Sequence, residues 1–120
     1  MQETLIVKAA SRTVVAEQFR IMRTNVQYLV NKINTPVMLV TSSVSGEGKS
    51  FVATNYGAAL ALTGKKTVVL EFDIRKPRLL KGLNMTSAKG LSNFIIGAAT
   101  PEEIILSVPE FDNLYVIGCG

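Results

Sequence analysis

The sequence predicts an α/β fold in three layers, a mostly parallel sheet with helices packed on it. Three observations carry this. Short apolar runs at Val37-Met38-Leu39-Val40, Thr67 to Phe72 and Leu114-Tyr115-Val116-Ile117 have the length and residue types of buried strands. Residues Lys49 to Leu62, between the first and second runs, are largely apolar and suited to a buried helix. A helix joining two such strands implies a right-handed crossover and hence parallel pairing. The first strand and this helix are separated by Thr41-Ser42-Ser43-Val44-Ser45-Gly46-Glu47-Gly48-Lys49-Ser50, a run of mostly small residues ending in Gly-Lys-Ser.

Met1 to Ala10 shows no period and reads as an extended lead-in, with Ser11 as an N-cap. A long helix is expected from Thr13 to about Asn31, since Val15, Phe19, Met22, Val26, Leu29 and Val30 recur at helical spacing. Glu17, Arg20 and Arg23 are spaced by three and sit together, mostly away from that apolar face. Their composition alone describes a solvated face, with a Glu17–Arg20 pair contributing about 0.2–0.5 kcal/mol. Asn34-Thr35-Pro36 ends the helical region and leads into the first strand.

Strand, small-residue loop, Gly-Lys-Ser and helix form the architecture of a phosphate-binding P-loop. A polyphosphate needs many donors close to its oxygens, and backbone N–H groups supply them only where the chain wraps tightly. Gly46 and Gly48 permit that wrapping. The helix N-terminus adds partial positive charge. Lys49 would reach the β- and γ-phosphates, and Ser50 would give its hydroxyl to Mg²⁺, which prefers oxygen ligands. Ser43 stands where the strict pattern G-x-x-x-x-G-K-[ST] has its first Gly, and Ser is small enough for the turn. The predicted fold is therefore a Rossmann-like P-loop NTPase.

Downstream, Thr63-Gly64-Lys65-Lys66 is a turn with a Gly suited to a C-cap. The strand Thr67 to Phe72 follows, with Asp73 at its carboxyl end, the edge where open α/β sheets bind ligands. Glu71 and Asp73 are two apart on extended chain and face one side, within reach of a metal and phosphates. Arg75-Lys76-Pro77-Arg78, with Lys81 nearby, is a basic run fitting either a phosphate surround or a solvated loop. Gly82 to Lys89 reads as loop, Leu91 to Ile96 as a short helix, and Pro101-Glu102-Glu103-Ile104-Ile105 as a helix start with Pro and acids in its first turn. Gly118-Cys119-Gly120 follows the third strand.

A length of 120 residues, 48% hydrophobic and 18% charged, suits a single globular domain. No stretch approaches the roughly 20 apolar residues of a membrane span, so the chain is expected to be soluble. The net charge of +4 is accounted for by solubility and a phosphate-binding cleft, without nucleic acid. A single cysteine, Cys119, forms no internal disulfide, and with no His in the chain a zinc site or a Ser-His triad is excluded within it.

Taken together, Glu17 to Arg23, Thr41 to Ser50 and Val68 to Pro77 resemble the bacterial tyrosine kinases (BY-kinases) of capsule and exopolysaccharide synthesis, from about residue 16 onward. The resemblance implies that Glu17, Arg20 and Arg23, matching E-x-x-R-x-x-R, form a subunit contact in a ring-shaped homo-oligomer. It implies that Ser45, Gly46, Glu47, Gly48, Lys49, Ser50 and Phe51 bind ATP as a Walker A loop, with Ser45 where Pro is usual. Leu70-Glu71-Phe72-Asp73-Ile74-Arg75 resembles the family's Walker A′ motif, D-x-D-x-R. Asp73 and Arg75 match, and Glu71 departs from the first Asp by one methylene. Lys49, Glu71, Asp73 and Arg75 are then the expected catalytic residues, with Ser50 and Asp73 serving Mg²⁺. Val44 occupies the place where relatives that partition plasmids or position division sites carry a Lys, which argues against them.

The resemblance further implies a kinase whose substrates are tyrosines, including its own tail, at the cytoplasmic face of the bacterial inner membrane, with a membrane-anchored sensor region or partner. Its role would be to regulate exopolysaccharide or capsule synthesis and chain length. Family members carry a Walker B strand ending in Asp and then a tyrosine-rich tail. The chain is therefore expected to be the N-terminal portion of one kinase domain, 1–35 a lead-in and oligomerisation helix and 36–120 the nucleotide-binding part, inactive by itself. Two rivals remain: a deviant-Walker ATPase without kinase activity, and a non-catalytic nucleotide-binding or oligomerisation module.

Overall fold

In the computed structural model the described residues are 14–30, 49–72 and 78–120, with the side chains of residues 14, 15, 28–30 and 49–51 left aside. The expected strand at 37–40, most of the phosphate loop (41–48) and the segment 73–77 lie outside them.

Helix α1, Val14–Val30, agrees with the expected helix to within a residue at each end. Its apolar stripe does the packing: Phe19 is buried, Met22 and Val26 lie against the core, and Ala16 joins them fully buried. Helix α2, Lys49–Ala61, begins at the Gly-Lys-Ser lysine. It lies between α1 on one side and the sheet on the other. A helix covered on opposite faces must be apolar or small all round, and Thr54, Asn55, Tyr56, Ala58, Ala59 and Ala61 are all buried.

Gly57 is the point of closest approach to the sheet. A Cβ there would stand 2.7 Å from Val69 Cγ2 and 3.6 Å from Leu114 Cδ1. Beyond α2, Leu62 N–H bonds Ala58 O and Gly64 N–H bonds Ala61 O. Gly64 has φ +91°, so the expected glycine C-cap is present.

Strand β1, Thr67–Leu70, pairs in parallel with the last strand, Leu114–Ile117, in the register Thr67 with Leu114 to Leu70 with Ile117. Burial alternates along β1. Thr67 and Val69 face α2, whereas Val68 and Leu70 are 44% and 43% exposed, so among the described residues the strand is covered on one face rather than the two expected.

The expectation of a mostly parallel sheet needs a correction among the described residues. Between the parallel pair's crossover and the last strand lies a two-residue strand, Leu106–Ser107, antiparallel to Leu114–Ile117. In chain order these are β2 and β3, and the sheet order is β1-β3-β2. The reason is the short connection. Phe111 N–H bonds Val108 O, and Val108 N–H bonds Leu114 O, a tight reversal that admits only antiparallel pairing. Two residues are too few to show an alternation in sequence.

The β1-to-β3 crossover carries three short helices: α3 (Leu79–Gly82), α4 (Leu91–Ile95) and α5 (Pro101–Ile104). The sequence signals gave α4 and α5; α3 directly follows the basic run and was not expected. At α5, Glu103 Oε1 accepts from the Thr100 N–H at 3.0 Å, and Lys89 Nζ lies 2.7 Å from Glu103 Oε2. No helix of the described residues is long and apolar enough to cross a membrane.

Candidate functional site

The turn at 62–66 sends the chain from α2 back along the sheet, so α2 runs antiparallel to β1. The Lys49 end of α2 therefore lies at the carboxyl edge of β1 and β3. Three pieces of chain meet at that edge: Glu71 and Phe72 after β1, Gly118 to Gly120 after β3, and α3. A cavity of about 180 Å³ opens there, lined by Glu71, Leu80, Lys81, Ser87, Lys89 and the Gly118–Gly120 segment.

Glu71 is fixed at both ends. Its backbone N–H extends the ladder to Ile117 O at 3.1 Å. Its side chain, 8% exposed, turns toward α3, where Oε2 accepts from the N–H of Arg78 at 2.7 Å and of Leu79 at 2.9 Å. These are the first amides of α3, donors that a helix leaves without an internal partner. Leaving such a buried donor unmet costs about 1–3 kcal/mol. A carboxylate at a helix start also complements the helix dipole.

The surrounding glycines set how closely these pieces approach. A Cβ at Gly118 would stand 2.9 Å from Leu80 Cδ1, so α3 packs directly on the chain leaving β3. At Gly90 a Cβ would stand 2.5 Å from Gly118 O and 2.3 Å from Gly120 N. That contact lets Leu91 N–H reach Gly118 O and Ser92 N–H reach Cys119 O, each at 2.8 Å.

The sequence-predicted site residues divide by position. Ser45, Gly46, Glu47, Gly48, Asp73 and Arg75 lie outside the described residues. Lys49, Ser50 and Phe51 form the first turn of α2, as the motif requires. Glu71 stands at the same sheet edge, with its carboxylate bonded to α3. On α1, Glu17 and Arg20 form an ion pair, with Glu17 half exposed. Arg23 turns inward, and its Nη1–H donates to Ala59 O of α2 at 3.0 Å. Within one chain, Arg23 thus ties α1 to α2.

The architecture and sequence have clear relatives. The chain is 28% identical over 110 residues to the tyrosine-protein kinase YwqD of Bacillus subtilis, a match covering 92% of this chain and 46% of that protein. It is 30% identical over 116 residues to the putative tyrosine-protein kinase CapB of Staphylococcus aureus, covering 97% of this chain and 50% of the relative. The crystal structure of the chimerical protein CapA2B2 superposes with a TM-score of 0.83 at 30% identity, covering all of this chain and 53% of the other.

The chain belongs to the BY-kinase family. It spans about half the length of these relatives, as part of a BY-kinase kinase domain. No family model matches the sequence.

Within this BY-kinase chain, sequence reasoning missed the amides of Arg78 and Leu79, because a backbone donor has no residue signature. It also missed Gly90, whose partners lie at Gly118 and Gly120. The glycines themselves were the available signal, placed where two loops cross.

Proposed function

We propose that the chain is the ATP-binding part of a protein tyrosine kinase that regulates exopolysaccharide or capsule synthesis. The observation that carries this is Gly46-Glu47-Gly48-Lys49-Ser50 running into the first turn of α2, in a chain that follows tyrosine kinases along nearly its whole length.

In this reading the amides from Ser45 to Phe51 cradle the polyphosphate, and Lys49 neutralises its β/γ charge. The donor set suits Mg²⁺: Ser50 and Asp73 offer a hydroxyl and a carboxylate, both hard oxygen ligands, and Ser50 belongs to the first turn of α2. When bound, Mg²⁺ neutralises charge on the phosphates. Asp73 holds the metal's surroundings or accepts the proton of the attacking tyrosine hydroxyl, and Arg75 offsets phosphate charge. Catalysis of this kind rests on positioning and electrostatics.

The tyrosine substrates include the protein's own tail. Glu17, Arg20 and Arg23 are the candidates for a contact between copies in a ring. The protein acts at the cytoplasmic face of the membrane with a membrane-anchored sensor region or partner.

The test is phosphotyrosine formation with Mg²⁺-ATP by the protein expressed from its native reading frame, beside Lys49→Ala. The expected result is phosphotyrosine in the first and none in the second. Phosphate release without phosphotyrosine in the unmutated protein would contradict the kinase reading and favour an ATPase.

A further inference from the structure

We propose that the cavity between Glu71, α3 and the chain leaving β3 takes an acidic side chain of a peptide, held by Lys81 and Lys89. The choice of a peptide rests on the kinase reading, in which the cavity selects tyrosines with acidic neighbours.

The cavity is built from described chain: Glu71, Leu80, Lys81, Ser87, Lys89 and the Gly118–Gly120 segment. Its volume of about 180 Å³ limits what fits. Pockets for drug-sized molecules begin at about 300 Å³, and a nucleoside triphosphate is of that class. The space therefore suits one side chain.

The charges lie in layers. Glu71 is innermost, 8% exposed, and its Oε2 is taken by the N–H groups of Arg78 and Leu79. Among the described residues of the lining it is the only acid. Lys81 is exposed and Lys89 half exposed, so the ammoniums stand where a ligand arrives. Lys89 gives one donor to Glu103 Oε2 at 2.7 Å, and an ammonium has three. Arg78, exposed just before α3, adds a further cation beside them.

Both lysines stand on fixed backbone. Lys81 belongs to α3, whose Leu79 is buried in the core and whose Leu80 lies against Gly118. The Ser87 hydroxyl donates to Lys89 O at 2.7 Å and closes the loop before Gly90. A carboxylate between the two ammoniums gains charge-assisted hydrogen bonds. Cations at the mouth of a cleft also steer an anionic ligand toward it, an effect that salt weakens.

The probes are fluorescent tyrosine peptides flanked by Glu, by Ala or by Lys, titrated into the chain and followed by anisotropy. The Glu-flanked peptide should bind about tenfold or more tightly than the Ala-flanked one, and the Lys-flanked one more weakly than either. High salt should erase the preference. Lys81→Glu and Lys81→Ala should each remove it at an unchanged melting temperature. Glu103→Gln leaves Lys89 in place and should keep it. Lys65→Ala with Lys66→Ala removes two exposed cations at the other end of the sheet and should also keep it.

Equal affinity for the three peptides would overturn the proposal. So would an undiminished preference in both Lys81 variants, or an equal loss in the Lys65/Lys66 variant, which marks attraction to net charge alone. Displacement of the Glu-flanked peptide by inorganic phosphate at equal concentration would overturn it too, since the cavity would then take any anion. A preference that follows Lys81 in a protein that forms no phosphotyrosine would sustain the cavity's ligand and defeat the kinase reading separately.

Discussion

Arg23 on α1 donates its Nη1–H to the carbonyl oxygen of Ala59 on α2, 3.0 Å away. That carbonyl is an orphan of the α2 C-terminus. The Thr63 N–H that would close the next helical bond onto it goes to Leu60 O instead, as does the Thr63 hydroxyl. A guanidinium there satisfies the carbonyl and meets the negative end of the helix dipole.

Arg23→Ala should therefore lower stability, by about 1–2 kcal/mol for a charge-assisted hydrogen bond in a part-buried setting. Glu17→Gln removes one partner of an exposed ion pair and should cost about 0.5 kcal/mol or less. Denaturant unfolding separates the two. Sedimentation of the same proteins separates their roles in assembly: Glu17→Gln should weaken self-association at unchanged stability. Equal stability losses in the two variants would contradict this division.

Gly57→Ala sets helix propensity against packing. Ala is favoured over Gly by about 1 kcal/mol in a helix interior, but its Cβ would stand 2.7 Å from Val69 Cγ2. Val69 is β-branched and stiff at χ1, so α2 must lift from the sheet. Overpacking of this kind costs about 1–3 kcal/mol, and packing should win. In a Val69→Ala background the clash is gone, so adding Gly57→Ala should be neutral or stabilising. A double-mutant cycle by denaturant unfolding reads the coupling directly.

Glu103 gives a dependence on acid. The Lys89 ammonium bonded to it, and then the Thr100 N–H, hold its carboxyl below the ordinary carboxylate range. Its folded value being the lower one, the contribution to stability is present above the unfolded value of about 4.3 and is lost as pH falls through the folded value. The Thr100 amide resonance should thus be flat near neutral pH and titrate only in acid, below the range of a free Glu. Glu103→Gln should remove that titration. A titration at or above the ordinary range would contradict the geometry.

What was legible in the sequence follows from which interactions leave a pattern. The α1 stripe through Phe19, Met22 and Val26, the start of α2 at Lys49, the Gly64 cap and β3 were all readable, because periodicity, turn chemistry and β-branched runs are local. The antiparallel β2 was not, since it exists through pairing with β3 alone. Nor was the bond from Arg23 to Ala59 O, because spacing gives an angle around a helix, not what packs beside it. Glu71 was visible as a carboxylate at the correct sheet edge, but its partners are backbone amides of α3, which no residue type announces. The phosphate-loop reading is a sequence pattern, of which the described residues include only the Lys49 start of α2.

Nucleotide binding at the start of α2 is most directly tested by calorimetric titration of Mg²⁺-ATP into the chain and into Lys49→Ala. Lys49 is assigned to the ligand and not to the core, so the variant should keep its fold and melting temperature and lose measurable affinity. A folded Lys49→Ala chain that binds Mg²⁺-ATP as tightly as the parent would contradict the assignment.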